Sequence, residues 1–451
     1  MTYNSTLSDY EQEAAAKYPE MKLITAYMPD TYGSHHTKMM VLFRHDDTAQ
    51  IIIHTANMIV RDWRNMTQAV WKSPMLPLLP EGRPPVVSNA PLGSGARFKN
   101  DFLAYIGFYE KSRTGLLSAQ LEAYDFSSIK GALVASTPCK QRSRTEPTFN
   151  AMRYGWLGLQ DVLRKIPMST NTGERPVIVA QVSSIATLST SWIDHFQNIL
   201  NTSGQAFAKG AISRVIFPSA DEIRRSSDGY SAGGSIHTKI QSKAQQKQVD
   251  HLRPRLCYWA GDQDGLRAIT DLPSVREAGR RRAAPHIKTY LRFRDSSMEE
   301  LDWAMITSAN LSTQAWGALP SKDGEVRISS YELGVVVWPS LFDDDEGTAT
   351  DSNNSQIVQS AKKRTIMVPT FKSDLPVIDT STSSEVTKVV GFRMPYDLPL
   401  VKYRDDEQPW CATANYEEPD WRGCAWKDYG LVVPGHIATN SLLQHIMNAE
   451  Q

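Results

Sequence analysis

The chain has 451 residues, 41% apolar and 22% charged, with 49 basic residues balancing 49 acidic ones. That length suits two or three domains, and the balanced charge excludes a uniformly basic nucleic-acid-coating surface, so any anion site must be local. No apolar run reaches the roughly 18 residues needed to span a membrane, and the scattered Cys139, Cys257, Cys411 and Cys424 form no C-x-x-C pair, as in a reduced intracellular protein rather than a disulfide scaffold or zinc site.

The N-terminal "MTYNSTLSDYEQEAAAKYPE" is polar and acidic, unlike a signal peptide. Residues 38–60 then read as two apolar strands, "KMMVLF" and "AQIIIHTANMIV", joined by the charged turn "RHDDT". "FKNDFLAYIGFY" (98–109) has helical spacing, and "GALVAST" (131–137) reads as a short buried strand. A helix candidate, "WLGLQDVLRKI", precedes a new central strand, "RPVIVAQVSSI". The alternation of strands and helices predicts an α/β fold with covered sheets, divided into residues 1–145 and 146–451. "DDDEGTATDSNNS" (343–355) and "DTSTSSE" (379–385) read as polar loop insertions.

An internal repeat organises the rest. "HHTKMMVLF…QIIIHTANMIVRDW" matches "PHIKTYLRF…WAMITSANLSTQAW", pairing His36 with His286, Lys38 with Lys288, Asn57 with Asn310 and Trp63 with Trp316. A repeat of this length predicts duplicated units about a pseudo-twofold axis. Alternate residues of an extended strand share a face, so each His projects beside its Lys, and an Asn at the end of the neighbouring strand reaches the same place. Two lysines, two asparagines and two imidazoles around one point suit an anion, specifically a phosphoryl group whose transition-state charge is spread over its equatorial oxygens.

These segments, with "SYELGV" and "GYSAGGS", resemble the phospholipase D superfamily and within it the tyrosyl-DNA phosphodiesterase family. The Asp of the common H-x-K-x4-D pattern is replaced by Phe43 and Phe293, as in that family. The resemblance implies two similar phospholipase D-like domains, each a mixed sheet flanked by helices, with the active site between them. It implies a metal-independent, cofactor-free DNA-repair phosphodiesterase that hydrolyses 3′-phosphotyrosyl links of stalled topoisomerase I adducts and leaves a 3′-phosphate. His36 is then the nucleophile and His286 the general acid and base, with Lys38, Lys288, Asn57 and Asn310 around the phosphate. Glu332 matches the group orienting His36, and Gln68 the one orienting His286. Tyr32 matches a base-stacking aromatic, and Ser183, Ser184 and Ser312 match polar residues on the DNA side. The implied partners are adducted DNA and a topoisomerase I peptide, with no membrane; a monomer in the nucleus is expected. The alternatives are a phospholipase D-type lipid phosphodiesterase, opposed by the missing Asp in both motifs, and an inactive DNA-binding remnant.

Several residues have plainer readings. A third H-x-K, His237 and Lys239 in "IHTKIQ", leads into a solvated helix and is expected to be non-catalytic. His35 is expected to face away from the site, His54 to satisfy a local hydrogen bond, and Trp63 and Trp316 to be core aromatics. Arg280, Arg281 and Arg282 are read either as a solvated loop or as phosphate contacts. "AKKR" (361–364) is a weak nuclear signal. The family has more strands before its first motif than the residues preceding His36 supply, so the first sheet is expected to be N-terminally truncated, with an exposed edge.

Overall fold

The computed structural model describes residues 17–18, 20, 22, 24–80, 89–143, 152–168, 174–203, 210–260, 275–343, 364–377 and 386–432. Apart from Asp343 and Arg364, the polar stretches 343–355 and 379–385 and the "AKKR" run lie outside these residues.

In the first half, β1 (Met39–Phe43) and β2 (Thr48–His54) form an antiparallel hairpin. The second strand stops at His54 rather than continuing to Val60, because residues 55–59 turn into the short helix α1 (Val60–Arg64). Then come β3 (Met66–Thr67), β4 (Val70–Lys72) and β5 (Leu76–Pro77), the last two pairing with β2. Helix α2 (Gly95–Gly107) starts where the Ser94 hydroxyl accepts the Arg97 N–H, and buries Phe98, Phe102, Tyr105 and Ile106 as one stripe. After α3 (Lys111–Leu121), β6 (Ala132–Ser136) is buried throughout and β7 (Cys139–Arg142) is half-exposed.

The second half contains α4 (Gly155–Lys165), β8 (Val177–Gln181), α5 (Thr190–Leu200), β9 (Ile212–Ile216), α6 (Lys243–Leu252) and β10 (Leu256–Cys257). β11 (Ala284–Pro285), β12 (Thr289–Phe293), β13 (Leu301–Thr307), α7 (Thr313–Trp316), β14 (Glu325–Ile328) and β15 (Glu332–Val337) follow, then β16 (Arg364–Thr370) and β17 (Val386–Arg393). A nine-stranded mixed sheet runs β10–β9–β8–β12–β13–β15–β6, with β16 on β13 and β17 on β16. Its apolar, largely β-branched strands β8 and β15 suit a sheet covered on both faces. β6 lies before residue 146 yet forms an edge of this sheet, and Leu133 and Ala135 on it pack with Phe98, Phe102 and Tyr105 of α2. The first stretch of chain therefore contributes a strand to the large sheet.

The repeat is visible in the backbone. The Lys38 carbonyl accepts the His54 N–H at 3.0 Å, and the Lys288 carbonyl accepts the Thr307 N–H at 3.2 Å. The two hairpins differ at their outer edges. β12 lies between β13 and β8 and is buried along its length, whereas among the described residues β1 pairs with β2 alone and leaves Leu42 42% exposed. Phe43 and Phe293 sit against apolar cores, so each replaces an ionic side chain with packing.

Candidate active site

Each H-x-K segment immediately precedes its strand, and the same backbone contact holds each in place. The His36 N–H donates to the Tyr331 carbonyl at 3.0 Å, and the His286 N–H donates to the Thr67 carbonyl at 3.1 Å. Tyr331 and Thr67 precede Glu332 and Gln68 respectively, so each half delivers its orienting side chain to the other half's histidine. Lys38 Nζ donates to the His36 carbonyl at 2.8 Å, and Lys288 Nζ to the His286 carbonyl at 2.6 Å. Both lysines are buried.

The orienting groups are held symmetrically too. Ser308 Oγ donates to Glu332 Oε2 at 2.5 Å and accepts the Leu333 N–H. Thr55 Oγ1 donates to Gln68 Oε1 at 2.8 Å and accepts the Ala69 N–H. Glu332 Oε2 lies 3.0 Å from His36 Nδ1, leaving Nε2 as the nitrogen directed elsewhere. Gln68 Nε2 lies 3.4 Å from His286 Nδ1. A further carboxylate, Asp62 Oδ2, is nearer to that nitrogen at 3.2 Å. Asn310 Oδ1 accepts from the backbone of Ser183 and Ser184 and from Ser183 Oγ. Its NH2 end is then the one offered to the cleft.

The cleft has a volume of about 970 Å³, and its lining includes His36, His286, Asn57, Asn310, Glu332, Tyr32, Ser183, Ser184 and Ser312. Tyr32 stands at the rim, 83% exposed. The chain reaches it by passing Gly33 across Ser329, where a Cβ would come within 2.0 Å of the Ser329 carbonyl oxygen.

Burial, opposed by Glu332, holds the His36 imidazole below its ordinary range; burial and then Lys288, Lys38, His36 and Arg61 depress His286 much further. Burial also lowers the Lys38 ammonium to about 8. For Glu332, burial pushes upward, but the His36, Lys38 and Ser308 contacts outweigh it and keep the carboxyl ionised below its usual range. The arrangement offers one neutral imidazole steadied by a carboxylate, a second imidazole opposite, and buried cations between: a site for nucleophilic and acid–base chemistry on an anionic ester.

Several plainer readings are corrected. His35 lines the cleft, its Nε2 2.9 Å from the Tyr109 hydroxyl and its ring 5.5 Å from Tyr331. Tyr109 bonds Tyr105, which bonds Thr37, so α2 braces the first motif directly. Trp316 is buried, but Trp63 is 55% exposed, with its indole N–H on the Asn57 carbonyl and its ring beside His54. His54 has a local backbone hydrogen bond at Ala56, as expected, while its Nδ1 is buried with no hydrogen-bond partner among the described residues. His237 lines the cleft although α6 behind it is mostly polar and exposed. Arg281 pairs with Asp397 and Glu277, and the exposed Arg282 donates to the Arg225 carbonyl, so these two side chains have partners within the fold. Asp62, Ser308 and Thr55 were not predicted. The repeat carried a signal for the first, since "ANMIVRDW" places Asp62 where "ANLSTQAW" has Ala315.

The fold has the phospholipase D-like architecture, with two imidazoles facing one cleft, as in a phosphodiesterase. A family model described as tyrosyl-DNA phosphodiesterase matches residues 2–404. The "Probable tyrosyl-DNA phosphodiesterase" of Schizosaccharomyces pombe is 30% identical, over 90% of this chain and 79% of its own length. The Arabidopsis thaliana "Tyrosyl-DNA phosphodiesterase 1" is 26% identical, over 88% and 62%. A crystal structure of a mutant yeast tyrosyl-DNA phosphodiesterase superimposes with a TM-score of 0.59 at 22% identity, covering 88% of this chain and 81% of that one. The chain belongs to the tyrosyl-DNA phosphodiesterase family, phosphodiesterases of DNA repair. Among the described residues no helix is long and apolar enough to cross a membrane.

Proposed function

We propose that the chain hydrolyses the ester between a DNA 3′-phosphate and a tyrosyl residue, or a related 3′ blocking group, through a phosphohistidine on His36. The observation that carries this reading is the pair of imidazoles facing one cleft with different partners, a lone Glu332 carboxylate on one and Gln68 with Asp62 on the other.

His36 Nε2 attacks phosphorus while Nδ1–H stays on Glu332. The phosphorylated ring becomes cationic, and the Glu332 carboxylate neutralises it. The phosphorus–oxygen bond to tyrosine breaks, and the departing oxygen takes a proton from His286 Nε2. Water then attacks phosphorus and gives its proton to His286. The phosphorus–nitrogen bond breaks, returning neutral His36 and a DNA 3′-phosphate. Lys38 and Lys288 with the amides of Asn57 and Asn310 neutralise the non-bridging oxygens. The incoming phosphodiester draws Lys288 from His286 Nε2, which lets that nitrogen take up the proton it delivers. Tyr32 stacks on a base, Ser183, Ser184 and Ser312 line the strand, and a topoisomerase I peptide occupies the other arm of the cleft. A monomer acting in the nucleus belongs to the same reading.

The test is cleavage of a 3′-phosphotyrosyl oligonucleotide by the purified chain in EDTA. A 3′-phosphate product is expected. Cleavage of phosphatidylcholine but not of the oligonucleotide would instead favour the lipid enzyme.

A further inference from the structure

Within the mechanism proposed above, we infer that Asp62 is the positioning residue of His286: a buried carboxylate that holds the proton of this imidazole on Nδ1 and supports its positive charge. Asp62 is 1% exposed and lies at Asn57 + 5, on α1. Oδ2 accepts the Asn57 N–H at 2.6 Å and lies 3.2 Å from His286 Nδ1, while Oδ1 is buried with no hydrogen-bond partner among the described residues.

Three features assign it this part. Lys288 Nζ lies 3.2 Å from His286 Nε2 and can only donate there, so Nε2 carries the lone pair and Nδ1 the hydrogen. Gln68 cannot accept that hydrogen, because its oxygen is taken by Thr55 and its NH2 faces the ring. Asp62 Oδ2, 3.2 Å from Nδ1, is the nearest carboxylate oxygen to receive it. The two halves correspond in their His, Lys, Asn, hydroxyl and orienting positions, yet the counterpart of Asp62 is Ala315. The nucleophile thus has its carboxylate at the orienting position, and the acid–base residue has its carboxylate on α1 instead. The charged and titratable groups around His286 are Lys288, Lys38, Arg61 and His36. Among the described residues, Asp62 is the one carboxylate within ion-pair distance of the ring.

The test separates support of His286 from support of the Asn57 turn. Asp62→Asn keeps the shape and an acceptor for the Asn57 N–H but removes the charge. A tyrosyl leaving group needs protonation, whereas 4-nitrophenolate does not. Single-turnover cleavage of the tyrosyl oligonucleotide should slow about a hundredfold, while the 4-nitrophenolate burst from the matching ester stays within about threefold and the protein–DNA adduct then accumulates. Gln68→Glu added to Asp62→Asn should restore most of the loss, since it puts a carboxylate on the same Nδ1 with Thr55 donating to it as Ser308 does to Glu332. Equal slowing of both esters, or no recovery in the double variant, would overturn the assignment. If wild type cleaves neither ester, the proposed function fails. The nitrogen shifts of His286 in a 15N-histidine-labelled chain then still decide. They should report an Nδ1–H ring in wild type that loses this preference in Asp62→Asn, and an unchanged tautomer would refute the role.

Discussion

Replacing Glu332 by Gln tests the electrostatics of the proposed nucleophile, His36, most sharply. The carboxamide oxygen can occupy the place of Oε2 and keep both the Ser308 and the His36 hydrogen bonds, so the substitution removes charge with little change of shape. What it loses is attraction to the imidazolium formed when His36 Nε2 bonds to phosphorus. With Nδ1 only 3.0 Å from the carboxylate, the centres of charge are roughly 4 Å apart, worth about 4 kcal/mol at an effective dielectric of about 20. That corresponds to a roughly thousandfold slower first step, with binding of the oligonucleotide unchanged because His36 is neutral in the ground state. Ser308→Ala keeps the charge but loses the hydrogen bond to the Glu332 carboxylate and the one accepted from the Leu333 N–H, so it should cost about 1.5–3 kcal/mol, less than the loss of the charge itself. Rapid-quench single-turnover cleavage of a 3′-phosphotyrosyl oligonucleotide measures both. A Glu332→Gln enzyme within tenfold of wild type would refute the reasoning.

Other consequences follow from the same environment. Because both cleft imidazoles resist protonation, the proposed mechanism puts the acid limb of kcat/KM against pH below the ordinary histidine value of about 6.5; a limb above it would contradict the burial described here. The basic limb of kcat/KM should begin with loss of the His286 proton, which burial and the neighbouring cations place well below the ordinary histidine range in the free enzyme, and should steepen near pH 8, where Lys38 loses its proton. The histidines' share of folding stability carries the matching sign. The unfolded chain takes up protons below about pH 6.5 that folded His36 and His286 refuse, while buried Glu222, raised to about 8, and Asp101, raised to about 6, act in the opposite sense, so the loss of urea midpoint as pH falls through about 6.5 should be smaller in His286→Ala than in wild type. Away from the site, Arg292 is fully buried and donates to Asp302 at 2.9 Å. Arg292→Ala leaves Asp302 buried without its closest cation and should cost about 3–5 kcal/mol in urea unfolding, where a loss under about 1 kcal/mol would count against it.

Much of the site could be read from the sequence because it is duplicated. A single H-x-K is weak, but two, each followed by a strand and an Asn turn, fix which residues meet. The structure brings His36, Lys38, Asn57, Gln68, His286, Lys288, Asn310 and Glu332 together around one cleft. What escaped the reading was of two kinds. Alternation along a strand put His35 on the far face, but the segment before β1 is irregular extended chain, and Tyr109 and Tyr331 draw the ring into the cleft instead. A large aromatic side chain predicts core for Trp63 as for Trp316, yet Trp63 is 55% exposed on the short helix α1, in the half of the chain with the smaller sheet. In the fold, the strand at 131–137 was legible as buried, but its partner, β15, comes from the other half of the chain, and pairing at that distance leaves no local trace. Asp62 was visible only as a mismatch in the repeat, and its partner lies more than two hundred residues away in sequence.

The most direct test of the proposed mechanism is to ask where DNA becomes attached. His286→Ala, incubated with a 3′-phosphotyrosyl oligonucleotide and quenched at alkaline pH to preserve phosphoramidates, should form a protein–DNA adduct that turns over slowly. Proteolysis and mass spectrometry should place the phosphoryl bond on the peptide containing His36. An adduct on any other residue, or product formed at the wild-type rate with no adduct, would contradict the two-histidine mechanism.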